Sequence, residues 1–99
     1  MDKQEALEAI ETWTRRGNLR QVKTEVEAHL GEGETVTMDG NTLTFTRIRK
    51  EGGFLGIRAK TIKDTLLVIT VKDGTVQILP EPQDQAFVKQ LANALKKRR

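Results

Sequence analysis

TVTMDGNTLTFTRIRK, residues 35–50, is where the chain changes character. Up to Gly31 the apolar residues recur at helical spacing, and from Thr35 onward they alternate. Thr35-Val36-Thr37-Met38 reads as a short strand and Asp39-Gly40-Asn41 as a tight turn. Thr42 to Lys50, rich in β-branched residues, then reads as a strand pairing back on the first. Leu43 and Phe45 share one face of it, but under strict alternation Ile48 falls on the other. A bulge near Thr46 or Arg47 would return Ile48 to the core and leave Arg47 and Arg49 in water, and that arrangement is expected.

Downstream, Glu51-Gly52-Gly53 makes a turn, and Phe54 to Lys60 is expected as a third strand with Leu55, Ile57 and Ala59 on one face. Thr61 to Thr65 reads as a connection. Leu66-Leu67-Val68-Ile69-Thr70-Val71 is a continuous apolar run, which predicts a central strand covered on both faces or an interface strand. Lys72-Asp73-Gly74-Thr75 turns the chain into a fifth strand, Val76 to Leu79, and Pro80 and Pro82 stop the sheet. A helix follows from Gln83 or Asp84 to Lys97, with Phe87, Leu91 and Leu95 on one stripe.

Upstream, Asp2 and Glu5 form a capping-box pattern ahead of an apolar stripe of Leu7, Ile10 and Trp13. Arg15 and Arg16 suit the negative end of that helix, and Gly17 is expected as a left-handed terminator. Asn18 with Gln21 reads as a second cap, before a stripe of Leu19, Val22, Val26 and Leu30 closed by Gly31. The expected fold is therefore α+β, in the order ααβββββα. An N-terminal helical hairpin and a C-terminal helix pack on a five-stranded antiparallel sheet, in a single domain over residues 1–99. A small five-stranded barrel flanked by helices is the alternative.

Composition narrows the chemistry. The chain has no cysteine, serine or tyrosine, so a disulfide framework, a thiolate metal site and three common nucleophiles or acid–base groups are missing. His29 is the only histidine, and Glu25, Glu27, Glu32 and Glu34 around it do not form a recognised ligand spacing. It reads as a solvent-facing residue near a helix end. Gly52-Gly53-Phe54-Leu55-Gly56 resembles a phosphate loop only superficially, because both flanks read as strands where a cradle would open a helix. No catalytic residue, metal ligand or cofactor is therefore expected, and a binding role is favoured over catalysis. No apolar run approaches the length of about 20 residues that spans a bilayer. The polar start Met1-Asp2-Lys3-Gln4-Glu5 is not a secretory signal, so a cytoplasmic location without membrane contact is expected.

The formal charge of +3 is unevenly distributed. Residues 1–46 are net acidic, whereas residues 47–63 hold Arg47, Arg49, Lys50, Arg58, Lys60 and Lys63 against Glu51 alone. The segment that follows is acidic again, and the chain ends on Lys96-Lys97-Arg98-Arg99. These two basic islands nominate those ten residues as a nucleic-acid-binding set, with the hairpin laid along a phosphate backbone. Alternatively the island is a solvated charged face answered by the protein's own acidic helices, and the tail a stabilising helix end. An acidic protein surface is the other partner such charge would suit. A protein–protein adaptor or homodimer would instead use Trp13, Leu66 and Val68, although Trp13 reads first as core. A small-ligand carrier or enzyme is the third class, and it would need a deep pocket with convergent titratable groups.

Overall fold

Asp2 Oδ1 accepts a hydrogen bond of 2.8 Å from the backbone N–H of Glu5, and this cap opens α1 (Lys3–Arg16). Asn18 Oδ1 does the same for the N–H of Gln21 at 2.9 Å, opening α2 (Leu19–Glu27). Four strands follow, β1 (Glu34–Asp39), β2 (Thr42–Glu51), β3 (Lys60–Lys72) and β4 (Thr75–Ile78), and then α3 (Gln85–Lys96). The structure, a computed structural model, describes residues 2–52, 60–79 and 82–96.

The strands form one antiparallel meander in the order β1-β2-β3-β4. The order is linear, so the sheet is open and the barrel alternative does not apply. All three helices cover one face. Val36, Leu43, Phe45, Leu67, Ile69 and Val76 of the sheet meet Ala6, Ile10, Val22, Val26, Phe87 and Leu91 of the helices in one core. Phe45 and Phe87, both essentially buried, pack edge to face with centroids 5.8 Å apart. The opposite face carries a row of threonines, among them Thr37, Thr44 and Thr70, together with the half-buried Val68.

Several expectations are corrected here. Among the described residues the sheet has four strands and not five, because Thr61–Thr65 is part of β3 and not a connection. The expected strand from Phe54 lies outside the described residues apart from Lys60, and so does most of the glycine-rich stretch. The apolar run 66–71 lies in the inner strand β3, and among the described residues it is covered on one face and not on both. Gly17 is extended (φ −99°), not left-handed, and α2 stops at Glu27 rather than near Leu30. Its chain exits through turn bonds from His29 N–H to Val26 and from Leu30 N–H to Glu27.

A bulge does interrupt the β2–β3 ladder at the expected place, yet the extra residue belongs to the other strand. Phe45 faces Leu67 while Thr46 faces Thr65, so Leu66 is the unpaired residue. Because β2 keeps its alternation, Ile48 remains on the open face, 44% exposed, and Arg47 turns toward the helices. The irregularity instead buries both Leu66 and Leu67 of β3.

β2 and β3 run beyond both neighbours. The last β1 pairing is Glu34 with Arg47, and β4 pairs no further than Ile69. Past these points Ile48–Glu51 and Lys60–Lys63 form a two-stranded arm, four residue pairs or about 13 Å long. The molecule accordingly measures 50 × 29 × 23 Å, with a radius of gyration of 14.8 Å against about 13 Å for a rounded domain of this size.

Candidate nucleic-acid interface

The arm carries most of the first basic island, and its register sorts the side chains into two faces. Ile48 pairs with Lys63 and Lys50 with Thr61 on the side continuous with the threonine row. Arg49 pairs with Ile62 and Glu51 with Lys60 on the helix side. Arg47 sits at the base.

The two arginines are answered internally. Arg47 Nη2 donates to Glu34 Oε2 at 2.7 Å and Nη1 to Asp84 Oδ2 at 3.0 Å. The other Glu34 oxygen accepts the Gly31 N–H at 2.7 Å, so this nearly buried carboxylate is satisfied on both sides. Asp84 Oδ1 caps α3 by accepting from the Phe87 N–H at 3.0 Å. That backbone bond, aided by Arg47, holds the Asp84 carboxyl below its ordinary range, and the bonds to Glu34 and Asp84 raise the Arg47 guanidinium. Arg49 Nε donates to Asp64 Oδ2 at 2.9 Å and Nη1 to Glu51 Oε2 at 3.2 Å, and its pKa is raised chiefly by the Asp64 bond.

Lys50, Lys60 and Lys63 differ from them. All three are exposed, and none has a hydrogen bond or ion pair among the described residues. Arg58, Lys97, Arg98 and Arg99 of the expected set lie outside the described residues. Lys96 is described, and it stands beside Glu5, Glu8, Trp13 and Arg16 against α1. Asp84, bonded to Arg47, precedes α3, and the helix runs about 18 Å from there to Lys96, so Lys96 stands at its far end and away from the arm's base. No protein-family model matches the chain, and neither a curated protein nor a solved structure matches it.

The residues expected to bind a protein partner are dispersed. Leu66 is core, 8% exposed, and Val68 is half-buried on the open sheet face. Trp13 packs partly against the core, with the Arg16 guanidinium 5.9 Å from its ring centroid. His29 is exposed, and its carbonyl accepts from Gln90 Nε2 at 2.8 Å. Among the described residues no three His, Cys, Asp or Glu side chains are grouped as metal ligands would be, and no helix is long and apolar enough to cross a membrane.

Two features escaped the sequence. One is the Glu34–Arg47–Asp84 cluster. The other is a cleft of about 520 Å³ at the end of the sandwich opposite the arm, floored by Leu19, Met38, Val71 and Val76. Arg15 and Arg20 are its titratable lining residues, and Arg15 is bridged to Glu11 at 2.6 Å. Arginine keeps its proton, so the described lining residues of the cleft include no group that titrates near neutral pH.

Proposed function

We propose that the chain is a non-enzymatic nucleic-acid-binding accessory domain whose contact element is the β2–β3 arm. One observation carries the reading: among the described residues three exposed lysines, Lys50, Lys60 and Lys63, have no ion pair on a projecting two-stranded ribbon. Cations that stabilise a fold are placed against carboxylates, as Arg47 and Arg49 are here. Cations left free and close together repel one another, and a polyanion relieves that repulsion. The open arm exposes them where a phosphate backbone can reach without moving a helix.

The test is binding of a labelled nucleic acid followed by fluorescence anisotropy across a salt series. Log affinity should fall linearly with log salt, and the triple replacement Lys50→Glu, Lys60→Glu and Lys63→Glu should abolish binding while the circular dichroism spectrum is unchanged. Affinity that is flat in salt, or retained by the folded triple variant, would remove the basis of the proposal.

A further inference from the structure

Ile48 is a large aliphatic residue left 44% exposed on the arm, opposite Lys63 and beside Lys50. The unbroken alternation of β2 holds it there, since the extra residue of the bulge belongs to β3. A β-branched side chain in water on a lysine-rich ribbon does nothing for the core. Together with Thr61, the four residues give one face two ammonium donors, a hydroxyl and a branched apolar group.

Those groups match the edge chemistry of a DNA major groove. Lysine donates to guanine O6 and N7, threonine serves as donor, acceptor or methyl contact, and an apolar side chain meets the thymine methyl. Dimensions agree. A two-stranded ribbon fits a groove about 12 Å wide, and among the described residues no third strand pairs with it beyond Ile48, whose N–H bonds the Gly33 carbonyl at the arm's base. The minor groove, about 6 Å wide, is too narrow for it, and the A-form RNA major groove is deep and closed to side chains. Resting on the proposed nucleic-acid function, we infer that the open face of the arm enters the major groove of B-form duplex DNA, with Ile48 against thymine methyl groups and Lys50 and Lys63 beside it.

The experiment compares the full chain on four labelled probes of equal length: a random-sequence DNA duplex, the same duplex with uracil for thymine, an RNA duplex, and single-stranded DNA. The thymine duplex should bind tightest, by roughly fourfold over the uracil duplex, about what burying one methyl group is worth. Ile48→Ala should remove the thymine-over-uracil preference and leave the salt slope unchanged; as Ile48 is exposed, the variant should fold, checked by its thermal midpoint. Equal binding of RNA and DNA duplexes, or indifference to both uracil and Ile48→Ala, would overturn the groove assignment while the lysine-dependent binding stood. Failure of every probe to bind at low salt would overturn the proposed function and the groove assignment together.

Discussion

Arg47 reaches Asp84 across 37 residues of sequence, its Nη1 3.0 Å from Oδ2, and so ties the base of the arm to the first turn of α3. The same carboxylate caps the helix through Phe87. Asp84→Ala should therefore cost about 1–2 kcal/mol, read as a lower urea midpoint, because it removes the cap and an ion-pair partner at once. Asp84→Asn keeps a capping oxygen and should lose less. Equal losses would mean that Arg47, and not the cap, dominates.

Acid should find this same group. The Asp84 carboxyl titrates below its ordinary 3.8 in the folded chain, through the Phe87 N–H first and Arg47 after it. Its contribution is complete above the unfolded value and is lost as pH falls through the folded one, so stability should decline on the acid side of 3.8. Urea midpoints measured from neutral pH downward should show a shallower acid limb in Asp84→Asn than in the parent.

Gly33 is the tightest backbone position on the arm's flank. Its φ is +79°, its carbonyl accepts the Ile48 N–H at 2.9 Å, and a Cβ there would stand 2.8 Å from the Ile48 carbonyl oxygen. Gly33→Ala should cost about 2 kcal/mol or more, since left-handed strain is joined by a clash with backbone that cannot swing aside. Gly40→Ala shares the positive φ but meets nothing within 4 Å, so it should cost about 1 kcal/mol. A chemical-denaturation series on the two variants would separate strain from collision.

Local signals in the sequence suffice where one short segment decides the outcome. Asp2 and Asn18 stand three residues before the amides they cap, Asp39-Gly40-Asn41 turns the chain, and Phe87, Leu91 and Leu95 are all buried on α3. The reading of Thr61–Thr65 as a connection fails because most of this stretch lies in or next to the arm, and a strand with no core beneath it loses its period-two pattern. The run 66–71 has no period at all, so nothing in it shows that Leu66 is the bulged residue. The partners of Arg47 come from the first residue of β1 and a cap after β4, and no local rule links positions so far apart. The basic island is visible as charge, but its division, among the described residues, into bonded arginines and unbonded lysines depends on the register of β2 with β3.

That division gives the most direct solution test. Arg47→Gln should destabilise the fold by about 1–3 kcal/mol, because Glu34, whose side chain is 7% exposed, loses the donors to one oxygen. Lys50→Gln, Lys60→Gln and Lys63→Gln should each leave the urea midpoint within about 0.5 kcal/mol of the parent, being exposed and unpaired among the described residues. On nucleic acid the order should reverse. Each lysine that contacts a phosphate should lower the slope of log affinity against log salt by about 0.9, while a lysine bonded to a base edge should instead change the preference among sequences. Arg47→Gln should keep the parent's slope at temperatures where it remains folded. A loss of slope from Arg47→Gln equal to that from the lysines would mean that its guanidinium leaves Glu34 and Asp84 for the ligand, and that the arm's base opens on binding.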